Sequence, residues 1–333
     1  GVRRSEPVRQ LNRAWLARNA EAFALIHQGA KLSRGLYPME FTGNPYTIEL
    51  AHLSSLRGAV RLCMRAAVVH AEEGDAEAAA DDLFAARRLA ASLGDCMVLV
   101  VALVRIAADA IVVEGLERTL ALCEMPADRL ALLREEITGE EQELSLTRAL
   151  VSEKAGAHYL ATGPAEEIRR LLAHSGVPPG APLDPQVRAR NALHLWEAMD
   201  RAIRVSQMPD RAELEEAARL EEEMTEVTPE LWLFAMWMPA IGRLICEEVK
   251  GKARVQVARS ALAVEQWRLL HGSWPDSLEQ LVPELVDAVP EDPFSDGKLR
   301  YERQEEGVVV YSVGPDGEDD AGVSLDEAHQ WSD

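Results

Sequence analysis

Aromatic side chains make up only 5% of this 333-residue chain, and basic residues are outnumbered, 35 Lys+Arg against 56 Asp+Glu. A core built without many rings falls to Ala, Leu and Val, and the abundance of Ala, Leu and Glu favours helices. The net charge of −21 argues against a nucleic-acid binder, whose phosphate contacts need a basic face. Long apolar runs are missing too. No segment reaches the ~18–20 residues of a membrane span; Met97–Val104 is broken by Arg105 and Asp109, and Leu231–Ile241 is followed by Arg243 and Glu247. Cysteine is sparse. Cys63, Cys96, Cys123 and Cys246 lie far apart with no CxxC and no histidine at ligand spacing, so they read as small buried hydrophobes rather than a zinc site or a disulfide frame.

Catalytic signatures are equally absent: there is no HExxH, no glycine-rich phosphate loop and no Gly-x-Ser-x-Gly. Glu72-Glu73-Gly74-Asp75 lies at a helix–helix turn, where carboxylates serve as caps and dipole partners. Glu221-Glu222-Glu223, Glu135-Glu136 and Glu140-Glu141 read as solvated helix faces. None of the eight histidines pairs with a carboxylate at a telling spacing, and His70 and His194 sit at helical, partly apolar positions.

What the first 250 or so residues do contain is helical periodicity. Asp75 is placed to cap a helix whose stripe is Ala76, Ala79, Ala80, Leu83, Ala86, Ala90 and Leu93, with Gly94 at its end. Thr138 with Glu141 and Asp210 with Glu213 read as capping boxes, and Thr228-Pro229 as a further helix start. The Gly-Asp turn inside Ala66–Gly94 resembles the middle of a tetratricopeptide-type helix pair; an ordinary antiparallel helix hairpin is the competing reading. Ser33–Pro45 reads as an irregular loop. The proline-rich Ser175–Pro185 reads as a linker that divides the helices into two sub-bundles. Trp232, Phe234, Trp237 and Met238 concentrate bulk on one stretch, which predicts packing between the two halves, or else a groove for a partner helix.

The texture changes after Val255. A helix ends at His271-Gly272, prolines punctuate residues 283–293, and alternation at Leu299, Tyr301 and Arg303 precedes the β-branched run Val308–Val313 across Glu305-Glu306-Gly307. That pattern predicts a β-hairpin. Five pieces in order carry a family likeness: Trp267-Arg268-Leu269-Leu270-His271-Gly272; Ser273-Trp274-Pro275; Leu278-Glu279-Gln280-Leu281; Pro290-Glu291-Asp292-Pro293-Phe294; and Val310-Tyr311-Ser312-Val313-Gly314-Pro315-Asp316-Gly317. Over about a fifth of the chain this resembles the globular end of the type II secretion major pseudopilins. The resemblance implies a small α+β unit and a place in the bacterial cell envelope; Trp274 and Pro275 are expected to anchor the unit's core, the indole packing against the helix that carries Leu262 and Leu269 and against Val310 or Tyr311. Because some 250 helical residues precede it, it implies a borrowed module rather than a filament subunit. In the family a calcium ion is held by the Gly-Pro-Asp-Gly aspartate and a later acidic pair; Asp316 matches the first, and Asp319 and Asp320 would be the pair. Only Gly317 and Glu318 separate Asp316 from Asp319, so fewer carbonyls are at hand, and a solvated acidic turn competes with a metal site.

The expected architecture is therefore mainly α: a helical array over 1–250, tetratricopeptide-like or a plain bundle, followed by a pseudopilin-like α+β module over 251–333. The expected role is a non-catalytic, envelope-associated scaffold with an unidentified protein partner. A metal-assisted hydrolase built from sequence-distant acidic residues is the alternative. The opening Gly-Val-Arg-Arg without Met implies a natural start further upstream, with room for a leader or anchor. Arg3, Arg4, Arg9, Arg13 and Arg18 would hold this end in the cytoplasm if a span preceded them directly.

Overall fold

The computed structural model describes residues 4–32, 35, 37–40, 48–94, 98–137, 140–173, 183–225, 231, 234, 239–305 and 307–322. Eleven helices of eight residues or more occupy them: α1 Glu6–Arg18, α2 Ala20–Ala30, α3 His52–Glu73, α4 Ala76–Ala91, α5 Leu99–Leu120, α6 Ala127–Glu136, α7 Glu140–Thr162, α8 Ala165–Ala173, α9 Pro185–Val205, α10 Asp210–Thr225 and α11 Pro239–His271. A short 3-10 turn, Leu278–Leu281, and the strands β1 Arg300–Gln304 and β2 Gly307–Tyr311 follow them. Among the described residues, β structure is confined to the C-terminal module.

The α3–α4 hairpin forms for the reasons its letters suggest. Gly74 closes α3 in the left-handed region at φ 82°, and the Asp75 carboxylate accepts the Ala78 N–H at 3.0 Å to start α4. Ala66, Ala67 and Ala71 on α3 and Ala79, Ala80 and Ala86 on α4 are all fully buried. Small residues on both faces let the backbones approach closely. The same logic governs α5: a Cβ on Gly115 would come within 2.4 Å of Met64 Sδ on α3.

Three apolar clusters follow. The first gathers α2 to α6, with Val60, Leu83, Val112, Leu116, Leu130 and Leu133 at its centre. The second gathers α7 to α10, with Leu146, Leu150, Leu160, Ile168, Leu195 and Leu220. Their division falls between α6 and α7; α8 and α9, on either side of the proline-rich stretch at 175–185, share the second. The third lies in the C-terminal module around Leu278, Leu281, Val289 and Leu299. Helix α11 joins all three. Ile241, Leu244 and Ile245 enter the second cluster, Val255, Ala258 and Leu262 the first, and Ala263 and Val264 the third. At 33 residues it runs about 50 Å, unbroken across residue 250.

One expectation is corrected here. Asp210 and Glu213 form no capping box: Pro209 O accepts the Glu213 N–H, and both carboxylates turn to Lys252 Nζ on α11, at 3.0 and 3.1 Å. Buried charge on a neighbouring helix outcompetes a local cap. Trp274 does share a cluster with the helix that carries Leu262 and Leu269 and with Val310, but the helix meets the module through Ala263, Val264 and Trp267, while Leu262 and Leu269 themselves pack with the first cluster. Trp274 is half-buried, with the Arg268 guanidinium 5.0 Å from its ring, while Pro275 is buried and its carbonyl accepts the Tyr301 hydroxyl at 2.7 Å. Phe234 is buried in the second cluster, whereas Trp232, Trp237 and Met238 lie outside the described residues, as do Thr138, Thr228 and Cys96.

Candidate functional site

The C-terminal module is built around one carboxylate. Asp292 is buried; its Oδ1 accepts the Phe294 N–H at 3.1 Å and the Ser312 hydroxyl at 2.7 Å, and its Oδ2 accepts the Val313 N–H at 2.9 Å. Its own N–H donates to Gly297 O at 2.8 Å. Ser312 and Val313 therefore leave β2, which stops at Tyr311, one pair beyond Tyr301↔Val310 in a register that closes at Gln304↔Gly307. Two motif pieces twenty residues apart in the chain meet here. The module is tied to the array by Arg134 on α6, which donates to the Leu285 carbonyl, and by Arg268 to Glu124 at 2.9 Å.

Beyond that latch lie the three aspartates of the expected calcium loop, all exposed. Gly314 and Gly317 take φ of 82° and 71°, and Gly317 N–H bonds Gly314 O at 3.0 Å, a tight turn that only glycine accommodates without strain. Asp316 Oδ1 accepts the Glu318 N–H at 3.2 Å. Asp319 faces elsewhere: Oδ1 accepts the Tyr311 hydroxyl at 2.9 Å and the Ala321 N–H at 3.2 Å, and Oδ2 accepts Arg300 Nε at 3.2 Å. The Tyr311 hydroxyl, the Ala321 amide and Arg300 hold its carboxyl below the usual carboxylate range. Burial and then Asp319 push the Tyr311 hydroxyl up. Arg300 already brings Asp319 the positive charge that a calcium ion would supply. Among the described residues, no group of three or more His, Cys, Asp or Glu side chains is arranged to hold a metal ion.

A second polar centre was not foreseen. Asp82 on α4 is buried and lies between two imidazoles, His27 Nε2 on α2 and His70 Nδ1 on α3, each 2.8 Å from one carboxylate oxygen. A carboxylate only accepts, so both ring nitrogens donate. The hydrogen bond to Asp82 raises His70 above the ordinary histidine range, against the opposing effect of its burial. His70 lies in the last turn of α3 and Asp82 in the second turn of α4, on either side of the Gly74-Asp75 turn, and that shared hairpin is the signal by which the pair could have been found. His27, 55 residues away, offered none. Chemically, an aspartate orienting a histidine is half of a nucleophilic triad. The thiol at hand, Cys63, is pushed up to about 12 by burial and then by Asp82, so it stays protonated at neutral pH and is a poor nucleophile. The centre fastens three helices together.

The acidic turn at 72–75 resolves likewise. Glu72 accepts the Arg4 N–H at 3.1 Å, Glu73 takes both oxygens to Arg13, at 2.8 and 2.7 Å, and Asp75 caps α4. Arg188 on α9 ends α7, donating to Leu160 O, Ala161 O and Gly163 O at 2.9, 3.1 and 2.6 Å, and so satisfies carbonyls that a helix terminus leaves open.

No family model, no curated protein and no solved structure matches this chain. No helix among the described residues is long and apolar enough to cross a membrane.

Proposed function

We propose that the chain is a non-catalytic interaction protein: a helical scaffold that presents a small pseudopilin-like module at the bacterial cell envelope. The observation that carries this reading is the Asp292 latch, where the Pro-x-Asp-Pro and Ser-x-Gly-Pro-Asp-Gly pieces of the resemblance meet in one hydrogen-bonded unit. Helix α11 adds to it, since a rod passing through three cores holds the module at a fixed place on the array. The polar clusters described above join one helix to another or tie the module together, as a presenting surface requires.

Site-specific photo-crosslinking in a bacterial host tests the reading. With the crosslinker at exposed Leu270, beside the module, a discrete protein adduct is expected in the envelope fraction. It should vanish when Asp292→Ala unlatches the module. Recovery of the chain wholly from the soluble cytoplasmic fraction, without adducts, refutes the proposal. Metal-dependent hydrolysis of simple ester or phosphoester substrates by the pure protein would favour the hydrolase reading instead.

A further inference from the structure

Among the described residues, helix α1 stands apart from the other ten helices in how it is held. None of its residues belongs to any of the three apolar clusters, and its one buried residue is Asn12. Its named contacts with α3 are polar or cationic. Arg13 forks onto Glu73, at 2.8 and 2.7 Å; the backbone N–H of Arg4, just before the helix, reaches Glu72 at 3.1 Å. From the α3 side, Arg65 bonds Asn12 Oδ1 at 3.3 Å and lies 4.2 Å above the Trp15 ring. Meanwhile Val8 and Leu11 face solvent, Leu11 being 71% exposed. A surface helix normally buries its apolar stripe; this one leaves Trp15 and Leu16 only half-buried, Trp15 edge-on to Phe23 of α2 at 5.6 Å, and meets α3 through polar groups at the rim.

The charge distribution fits. The first twenty residues carry five arginines against one glutamate, in a chain whose net charge is −21. Of these arginines, Arg4 and Arg13 reach the acidic end of α3, at Glu72 and Glu73. Glu72 there is buried, and its Oε2 has no hydrogen-bond partner among the described residues. A buried carboxylate oxygen left open is costly and marks a place where another donor fits.

We propose that the Glu72–Glu73 end of α3 is a receptor for arginine-bearing helices, and that α1 occupies it as a displaceable strap. The inference deepens the interaction reading by giving one partner chemistry: an amphipathic helix with arginines on one face. Exposed ion pairs contribute little each, and a 13-residue helix is marginal by itself. Salt shortens the range of these attractions from ~10 Å at 0.1 M to ~3 Å at 1 M. The strap therefore loosens with ionic strength while the alanine-packed α3–α4 hairpin stays closed.

Hydrogen exchange on the full chain tests this. Between about 20 and 500 mM salt, α1 amides should exchange roughly tenfold faster, the factor equivalent to ~1.4 kcal/mol, while α3 and α4 keep their protection. Arg13→Glu should release α1 at low salt, and Glu73→Arg added to it should restore protection, which general unfolding would not do. A labelled peptide of residues 3–18 should then bind the Arg13→Glu chain saturably and fail on Arg13→Glu/Glu73→Lys. Salt-independent α1 protection, or no rescue by the swapped pair, overturns the strap. Absence of saturable peptide binding to the Arg13→Glu chain overturns the receptor. Neither result depends on where the chain resides, so the crosslinking test above stands or falls separately.

Discussion

Replacing Asp292 with alanine removes the acceptor for three donors at once: the Phe294 N–H, the Ser312 hydroxyl and the Val313 N–H. Hydrogen bonds to a charged acceptor contribute about 1.5–3 kcal/mol each, and they are not additive when they share one carboxylate. Val313 is buried, so its N–H would be left without water or partner at a cost of about 1–3 kcal/mol. Together these place Asp292→Ala at roughly 3–5 kcal/mol, the range for breaking a buried polar network. Ser312→Ala, which leaves the carboxylate two donors, should cost only about 1 kcal/mol. The loss should be local, because the module has its own apolar cluster around Leu278, Leu281 and Leu299. The assay is hydrogen exchange across 307–313 alongside urea melts of the full chain. Fast exchange confined to the module, with α3–α5 unchanged, is the expected pattern. A loss below about 1 kcal/mol, or one spread evenly over the array, refutes the reasoning.

Asp82 raises His70, so the stability from that pair is fully present below the unfolded histidine value near pH ~6.5 and is lost as pH rises through the folded value. Urea midpoints should therefore fall from pH 6 toward pH 8 in the wild type, and Asp82→Asn should flatten that slope. Gly115→Ala forces a Cβ into the Met64 side chain and should cost about 1–3 kcal/mol, with Met64→Ala relieving the clash in the double variant. Lys252→Met leaves Asp210, Glu213 and Glu248 without their cation and should cost roughly 3–5 kcal/mol; adding Glu213→Leu and Glu248→Leu should recover most of it. Calcium at millimolar concentration should raise the melting temperature by mass action if Asp316, Asp319 and Asp320 gather on it, which requires Arg300 to leave Asp319. A titration without saturable heat, alike in wild type and Asp316→Ala, removes the site.

Legibility in the sequence followed sequence distance. The α3–α4 hairpin could be read because its cap, its left-handed glycine and its alanine stripe are local facts about consecutive residues. The C-terminal hairpin was readable for the same reason, though its second strand stops at Tyr311 instead of Val313, since Ser312 and Val313 are drawn off to Asp292. Asp210 and Glu213 show the limit. Their spacing is that of a capping box, yet their acceptors go to a lysine about 40 residues on, and nothing local separates the two uses. The Asp82 centre needed three helices placed in space before its histidines could be paired. Which face of α11 met the module was equally hidden, since Leu262 and Ala263 are adjacent in the chain but enter different clusters.

The buried charges have a common geometry. Asp82 joins α2, α3 and α4; Arg87 joins α4 to Asp109 on α5 at 3.3 Å; Lys252 joins α10 to α11; Asp292 joins two turns of the module. The Asp82 and Arg87 seams bridge helices whose buried faces are rich in alanine, and an alanine face discriminates weakly between one register and the next. Desolvation makes such pairs poor contributors to net stability. A misaligned register would strand the charge, which costs several times more than a lost methyl contact. On this argument the polar seams select one arrangement of an otherwise permissive helical array. That is the property a scaffold needs if α11 is to hold the module in one place, and it is why the apolar replacement around Lys252 should recover stability more readily than it recovers a single, sharply ordered state.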